Sequence, residues 1–483
     1  MSLSPDTLPD HTGIPVIAAN TDTINLLHHA MIRLLSFDDD FGTSSTRQAT
    51  STDKTCVMGL VMEASIRIVG GSPPNDSDIQ GLLDQANKLL ENVVPSIGIR
   101  ERRLIEAASL YWKGQRHQAM DVWESLIYES ELLSDIFAVK MLSTAAIFTG
   151  QSKYGRIARL AKTMLRAWDK NAYLCTSEYL PYLLSIYAFG LAEQRHCKEA
   201  EEIALRALVL SSHSDIWAIH TLCQVMLEQG GRAHEALHML SKTEGNWKIH
   251  GGLLCHMYWH WALFHIEVRM YENALEIFDK KILPSLKKSD GYLLDLVDAV
   301  SLLWRLELLN QPVDTHWWTS ISMIAKHQIS PNSLSQYRYN FCEAHVMVLL
   351  CHTDPGVAHF FLQTLERRDD SFSNSANGSE LILQHQPRRA GLILCQALYN
   401  YFCEGKFEDA LAKLLSLRHC MSCIGGSRAQ QDVFHQTLIS SAIRLRRLNL
   451  ASSLVTERYQ TKQSLVNQAY IESINHLKDY CCS

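Results

Sequence analysis

Apolar positions along most of the chain recur at the three- and four-residue spacing of an amphipathic helix. In the segment ERRLIEAASLYWKGQRHQAMDVWESLI (101–127), one apolar stripe runs from Leu104 to Tyr111, and a second begins at Ala119 after a short polar break. This pattern predicts two amphipathic helices joined by a tight turn, which is a helical hairpin. Alternating apolar and polar runs, which would indicate strands, are short and few.

The hairpin pattern recurs along the chain. A small residue follows each predicted turn, and an aromatic or aliphatic residue comes three or four positions later. These small residues are Ala119, Gly155, Ala200, Ala236, Ala274, Ala410 and Ala451. Their spacing is close to the roughly 34-residue period of tetratricopeptide repeats, in which a small residue lets two helices approach each other. The sequence therefore predicts an all-α fold, an α-solenoid of about nine tetratricopeptide-like helix pairs bent into an arc.

Two polar stretches interrupt the pattern. Residues 1–20 are polar and contain proline, which predicts a disordered tail. The segment RRDDSFSNSANGSE predicts a mobile loop over residues 366–388. This loop would separate an N-terminal helical-repeat stack (21–365) from a C-terminal stack (389–483).

Composition and charge narrow the classes of function. With 47% hydrophobic residues over 483 positions, the chain can bury a large core. Its formal net charge of −6 gives no general attraction to nucleic acid or to an anionic membrane. The chain has no apolar run of about 18 residues and no secretory signal pattern at its start, so we expect no membrane span and a cytoplasmic location. The 13 cysteines lack regular spacing, which agrees with a reducing compartment.

The sequence carries no recognisable cofactor motif. Glycine-rich phosphate and dinucleotide loops are absent, as is the serine nucleophile elbow. A single CxxC pair, Cys420 and Cys423, has no second pair to complete a zinc site, so we interpret it as unreactive. We therefore predict neither a cofactor nor a resident metal.

The segment HMYWHWALFH (256–265) concentrates histidine and tryptophan on one predicted helix. His256 and His260 are four residues apart, so their side chains share a face about 5–6 Å apart. The repeat register places His256 and Trp259 on the inner, concave face. The cluster is then either a satisfied part of the core, a polar ligand site, or two ligands of a metal. Side chains from other helices that could complete it are His220, Asp298, Glu343 and His345.

Two further segments place polar residues beside apolar ones. Asp298 and Arg305 are seven residues apart and share a helix face, where they are either a buried contact between hairpins or an anion clamp. Ser427 stands where it can cap a helix, and free N–H groups at that helix start could hold an anion. Gln430 and Asp432 would then support a ligand, or they are ordinary first-turn residues.

Four segments together carry a family resemblance: DIWAIHT (215–221), CHMYWHWALFHIE (255–267), DLVDAVSLLWRLEL (295–308) and GGSRAQQDVF (425–434). With them the chain resembles the tetratricopeptide repeat protein 38 family, over nearly its whole length. The resemblance implies the helical-repeat fold and implies no particular activity. The chain departs from the family pattern at Leu60, Gln224, Leu227, Cys342 and Gln431. The resemblance implies that any reactive site of the family is lost or altered here.

Two functions follow from these residues. The first is a cytoplasmic tetratricopeptide-repeat protein that binds a peptide, a protein segment or a small polar ligand in a concave groove lined by His256, Trp259 and His260. In that reading Arg305 and the residues near the helix start at Ser427 also contact the ligand.

The second function is a cofactor-independent enzyme with a closed pocket on the repeat scaffold. It would cyclise, isomerise or eliminate a small molecule by acid–base chemistry. Its catalytic groups would be His220, His256, His260, Asp298, Glu343 and His345. A converging closed pocket would favour the enzyme, and an open groove would favour the binding protein. The oligomeric state does not follow from the sequence.

Overall fold

The protein is almost entirely helical wherever its structure is described. The computed structural model describes residues 6–72, 76–91, 93–129, 133–150, 153–249, 251–336, 339–373 and 387–482. Helical hairpins follow one another within this part, which confirms the all-α helical-repeat class. Every helix in these ranges is too short or too polar to cross a bilayer.

A short hairpin precedes the first helix. Strands β1 (Thr7–Pro9) and β2 (Pro15–Ile17) pair antiparallel. Asp10 holds the turn, because its Oδ1 accepts the backbone N–H of Ile14 at 3.1 Å. Ile14 itself is buried. Residues 6–20 are therefore ordered, instead of the disordered tail expected over 1–20, because Ile14, Val16, Ile17 and Ala18 are buried there.

The first compact unit comprises Met1–Thr149, Lys153–Leu222 and Gly245–Leu253. Its helices are α1 (Thr21–Leu35), α2 (Thr43–Thr52), α3 (Val57–Val69), α4 (Ser77–Glu91), α5 (Ile99–Trp112), α6 (Arg116–Tyr128), α7 (Ile136–Thr149), α8 (Tyr154–Trp168), α9 (Leu180–Ala192), α10 (Cys197–Leu210) and the first half of α11 (Ile216–Gln229).

Helix pairs of the first unit pack through the small residues of the repeat pattern. In the α5–α6 hairpin, Ala119 and Trp123 are fully buried, and the Trp123 ring lies 5.8 Å from that of Tyr111. Helices α8 and α9 approach so closely that a Cβ at Gly190 would lie 2.8 Å from the backbone nitrogen of Ala158. Glycine is the residue that permits this approach.

The second compact unit comprises Gly150–Ser152, Cys223–Glu244 and Leu254–Ser483. Its helices are α12 (Ala233–Trp247), whose last residues belong to the first unit, α13 (Leu254–Glu267), α14 (Tyr271–Ile277), α15 (Leu283–Lys288), α16 (Leu293–Leu308), α17 (Thr315–Ile324), α18 (Pro331–Leu334), α19 (Asn340–Thr353), α20 (Pro355–Ser373), α21 (Pro387–Phe402), α22 (Phe407–Leu417), α23 (Arg428–Arg444), α24 (Leu448–Thr461) and α25 (Leu465–Cys482). A π-helical turn, Phe278–Ile282, joins α14 to α15.

This division differs from the predicted one at residues 366–388. Helices on both sides of that stretch belong to the second unit, because α19, α20 and α21 pack against one another. The predicted mobile loop begins inside α20 and ends inside α21, and its remainder, 374–386, lies outside the described residues.

The repeat pattern itself predicts the burial of the small residues. Their side chains are inaccessible to solvent at Ala119, Ala200, Ala236, Ala274, Ala410 and Ala451. They lie in the second helix of successive hairpins, where a larger side chain would push the two helices apart.

Candidate functional site

His256 and Asp298 form a hydrogen-bonded pair between two helices of the second unit. The Nδ1 of His256, on α13, lies 2.9 Å from Oδ2 of Asp298, on α16. The Asp298 side chain is only 3% exposed, whereas that of His256 is 14% exposed. A buried carboxylate requires a partner to offset its desolvation. The sequence correctly placed Asp298 among buried polar residues, and its hydrogen-bond partner is His256.

Trp259 and His260 pack around this pair inside the protein. The Trp259 ring stacks on His256 at a centroid distance of 5.1 Å, and the His260 ring meets His256 edge-on at 4.8 Å. The shared face predicted for His256 and His260 is therefore present. Both Trp259 and His260 are fully buried, so Trp259 does not line the concave face that the repeat register had indicated, and His260 does not line the groove of the binding hypothesis. The reason is that α13 packs against both α14 and α16 and buries the face that carries them.

Arg305 ties α16 to the start of α23. Its Nη2 donates to the backbone oxygen of Ala429 at 2.7 Å, and its Nη1 donates to the Ser301 hydroxyl. Its guanidinium lies 5.3 Å from the Trp259 ring centroid, in cation–π contact. Burial lowers the pKa of Arg305 to about 10, despite the opposing field of Asp432, so the group stays cationic at neutral pH. Its donors serve the fold, which argues against the predicted role of Arg305 as a ligand clamp.

Asp432 and Gln430 also have partners inside the second unit. Asp432 accepts hydrogen bonds from Nε and Nη2 of Arg458 at 2.9 and 2.7 Å. Burial alone would raise the pKa of Asp432, but Arg458 and Lys462 hold it well below its usual range. Gln430 forms a capping box with Ser427, in which each side chain bonds the other's backbone N–H. The capping alternative predicted for Ser427 is therefore the one observed.

Glu343 and His345, both buried on α19, make different contacts. Glu343 pairs with Arg368. The Nδ1 of His345 lies 2.8 Å from the backbone oxygen of Phe341. Burial lowers the pKa of His345 to about 3, so its ring is neutral at neutral pH. A ring that gains a proton only in acid does not suit the predicted role of a proton carrier.

His220 belongs to the first unit, where it is part of the aromatic core. On α11 it is 1% exposed, and its ring stacks on Trp217 at 4.4 Å, with Phe189 at 5.7 Å. Asp215 caps the same helix by accepting the N–H groups of Trp217 and Ala218. The DIWAIHT segment therefore contributes a helix cap and buried aromatic packing to the first unit.

Lys140, on α7, is a buried cation that the sequence analysis did not single out. Its ammonium lies 3.6 Å from the Phe37 ring centroid. Burial lowers the pKa of Lys140 to about 7, although Asp215 partly opposes this effect. A lysine within an apolar helix indicates an amine that is either paired or shifted in pKa by burial. The segment IFAVKMLSTAA has this pattern at Lys140.

The five departures from the family pattern all lie in the interior. Leu60, Gln224, Leu227, Cys342 and Gln431 are each buried. Gln431 has a visible structural function, because its Nε2 donates to the backbone oxygens of Gly425 and Gly426 at 2.9 and 3.0 Å. It closes the turn that precedes α23.

A cavity of about 450 Å³ opens elsewhere in the second unit, at the turn between α21 and α22. The charged and aromatic side chains of its lining, together with one cysteine, are those of Glu307, Tyr401, Phe402, Cys403, Glu404, Phe407 and Arg444. The sequence of this stretch predicts only a repeat hairpin. The clustering of aromatic residues and a cysteine around the turn YFCEGKF was the available signal.

Two carboxylates and one guanidinium line this cavity, and Glu404 pairs with Lys406 at 2.9 Å. Glu307 accepts hydrogen bonds from Nε1 of Trp318 at 3.0 Å and from Nε2 of His352 at 2.9 Å. Arg444 donates from Nε to the Tyr401 hydroxyl at 2.9 Å and lies 5.1 Å from the Phe407 ring centroid. Within the described ranges no carboxylate forms an ion pair with Arg444. The lining therefore places the exposed guanidinium of Arg444, which has no ion pair to a described carboxylate, beside aromatic rings and two carboxylates.

No protein-family model matches the chain. The candidate sites are therefore interpreted from their own geometry and chemistry.

Proposed function

We propose that the protein is a helical-repeat binding protein whose second unit binds an organic carboxylate beside Arg444. The ligand is a small aromatic carboxylate or the C-terminal carboxylate of a peptide. The sequence also predicts a binding function, but with the ligand at the segment around His256. We propose that the ligand binds instead in the cavity at the α21–α22 turn.

The observation that carries the proposal is the guanidinium of Arg444, which forms no ion pair with a carboxylate of the described residues, at a cavity of about 450 Å³. Cavities of about 300–1,000 Å³ with apolar walls and a few oriented polar groups are the common form of small-ligand sites. A guanidinium offers two parallel donors to a carboxylate. Phe402 and Phe407 supply the apolar surface that an aromatic group would cover.

The experiment compares short peptides that end in an aromatic residue, each as the free acid and as the amide, together with simple aromatic carboxylates. Calorimetric titration of the full chain should detect the acids and not the amides. Arg444→Gln should weaken binding by about tenfold or more, because it removes a charge-assisted hydrogen bond. Arg447→Gln is the matched control, since Arg447 is an exposed arginine of the following turn that pairs with Glu408.

Two results would contradict the proposal. One is that no carboxylate of the panel binds. The other is that acids bind equally well to the wild type and to Arg444→Gln.

The His256–Asp298 pair favours a second candidate function, a cofactor-independent enzyme. A buried carboxylate that orients a partly exposed imidazole is the usual support of a general base. Isomerisation and elimination both begin with removal of a proton from carbon. Incubation of candidate small molecules with the protein in D₂O should then introduce deuterium, and His256→Gln should abolish the exchange. Equal exchange with both proteins would exclude this use of His256.

A further inference from the structure

Two histidines of α13, His256 and His260, stand one helical turn apart with their rings in contact. The rings meet edge-on at a centroid distance of 4.8 Å, and a nitrogen of one lies within 4.8 Å of a nitrogen of the other. Zinc binds imidazole nitrogen at about 2.0–2.1 Å, so two imidazoles on one tetrahedral ion hold their nitrogens about 3.4 Å apart. A combined movement of about 1.4 Å or less therefore brings both nitrogens to the separation that one ion requires.

Asp298 supports His256 in the way that a carboxylate supports a metal-binding histidine. Its Oδ2, on α16, lies 2.9 Å from Nδ1 of His256. A carboxylate on Nδ1 fixes the orientation of the ring, makes Nε2 the nitrogen that binds an ion, and increases the basicity of the ring. The pair therefore has the first two members of a carboxylate–imidazole–metal arrangement.

Two carboxylates of α16 have no lysine or arginine partner among the described residues. The Asp298 side chain is 3% exposed, and its Oδ1 is buried without a hydrogen bond from any of those residues. Asp295 lies three residues earlier on the same face of the helix. Arg305, the cation of this helix, donates instead to Ser301 and to the backbone at the start of α23. A cation bound to His256 would offset this negative charge.

The helices that carry these groups are held together by further contacts. The Cys255 thiol, next to His256, donates to the backbone oxygen of Asp295 at 3.8 Å. The fully buried Trp259 ring stacks on His256 at 5.1 Å and meets His260 edge-on at 4.9 Å. Both imidazoles are therefore held close to a binding geometry before an ion arrives, which lowers the entropy that binding costs.

We propose that His256 and His260 bind one Zn²⁺ ion and that Asp298 orients His256 through its other ring nitrogen. Imidazole suits zinc and the neighbouring transition metals, whereas magnesium and calcium prefer oxygen ligands. Two protein ligands are fewer than a closed structural zinc site has, so water completes the coordination and the ion exchanges with solvent. The side chain of His256 is 14% exposed and provides the approach.

This site is independent of the carboxylate ligand proposed for the Arg444 cavity. It does bear on the second candidate function, because an ion on Nε2 of His256 would occupy the nitrogen that acts there as the base. The two uses of His256 therefore exclude each other while the ion is bound.

The protein contains a matched control in His234 and His238. These histidines are also four residues apart, on α12, and both are exposed. Neither ring has a hydrogen bond or an ion pair with a described carboxylate. The two pairs thus share their spacing, and they differ in the buried carboxylate and the ring packing of the pair on α13.

The first experiment titrates the full chain, without a histidine tag and stripped of metal, with Zn²⁺ in a calorimeter at pH 7. We expect one site per chain that binds about tenfold or more tightly than the sites remaining in His256→Gln. His234→Gln and Cys423→Ser should keep this site. Asp298→Asn should weaken it by about ten- to hundredfold, because the imidazole loses its charged partner. Wild-type affinity equal to that of His256→Gln would overturn the proposal.

The second experiment uses only the wild type, so it does not depend on how a substitution affects folding. One equivalent of Cu²⁺ with ascorbate in air oxidises the imidazoles that bind the ion, and peptide mass spectrometry locates the added oxygen. We expect oxidation at His256 and His260 before His234 and His238, and suppression by added Zn²⁺. Oxidation at the exposed pair first, or evenly over exposed histidines, would mean an adventitious ion only and would refute the site. Neither experiment involves the Arg444 cavity, so failure here and failure of the carboxylate proposal are distinguishable.

Discussion

At the scale of single residues, most of the polar groups singled out by sequence serve the interior of the second unit. Arg305 donates to backbone oxygens at the start of α23, and Asp432 is held by Arg458. A charged side chain can be buried only when several such partners offset the free-energy cost of removing it from water, because one weak contact does not offset that cost. The polar groups that retain some exposure are instead His256 and Arg444, which the two proposed functions use.

His345 is the residue whose titration has the clearest effect on stability. The ring is fully buried, and its pKa lies near 3 in the folded protein. The unfolded chain binds the proton near the ordinary histidine value of about 6.5. Between these values the unfolded state holds more protons than the folded one, so stability rises with pH and is lost as the pH falls from about 6.5 towards 3.

Replacing His345 with phenylalanine should therefore remove part of the acid sensitivity. Across that pH window the wild type loses up to about 1.4 kcal/mol per pH unit from this group, whereas the His345→Phe protein has no such group to protonate. The measurement is the melting temperature of both proteins as a function of pH. The two curves should converge near pH 7 and separate in acid, with the variant melting higher.

The matched control for this prediction is His327→Phe, because His327 is an exposed histidine of the same unit. Its curve should remain parallel to that of the wild type. A His345→Phe curve that is also parallel to the wild type would show that the buried ring does not titrate as the structure requires.

At the scale of helices, the spacing of small residues determines how closely neighbours pack. The repeat pattern predicted the buried alanines, and Ser427 was predicted as a helix cap from its position before RAQQ. These features depend on residues close together in sequence, so periodicity and capping chemistry reveal them. Asp298 was only one of four candidates for the contact with His256, because the choice among them depends on the register between α13 and α16, which are separate hairpins.

Two helical glycines of the first unit give a test of this packing. A Cβ at Gly190 on α9 would lie 2.8 Å from the Ala158 nitrogen, whereas a Cβ at Gly81 on α4 would have no atom within 4 Å. Gly190→Ala should destabilise the protein by about 1–3 kcal/mol, because α8 and α9 must separate. Gly81→Ala should stabilise it by about 0.5–1 kcal/mol, because alanine favours a helix more than glycine does.

Thermal unfolding of both variants beside the wild type measures the difference. Both substitutions add the same methyl group to a helix, so opposite signs would have to come from the surroundings. If Gly190→Ala melts at or above the wild type, the close approach of α8 and α9 does not limit stability.

At the scale of the whole molecule, hydrophobic periodicity was sufficient to predict the fold class. It was insufficient to predict where one compact unit ends and the other begins. The ordering of residues 6–20 depends on contacts such as that of Asp53 with the N–H of Ala19, which are distant in sequence. The same holds for the cavity at the α21–α22 turn, since Glu307, Tyr401 and Arg444 come from three different helices. A sequence read one hairpin at a time identifies the helices and does not reveal which side chains they bring together.

In helical-repeat proteins each hairpin depends mainly on its neighbours, so damage should remain local. Arg305→Met removes the side chain that bonds the Ala429 oxygen, and hydrogen exchange followed by mass spectrometry should show faster exchange in α16 and α23. Helices α1 to α10 of the first unit should exchange as in the wild type. Arg447→Met, which breaks only an exposed ion pair with Glu408, should leave all helices unchanged. Faster exchange in both units with Arg305→Met would mean that the chain unfolds as one cooperative body. Unchanged exchange in α16 and α23 would contradict the structural role of Arg305 and leave the ligand clamp as its alternative role.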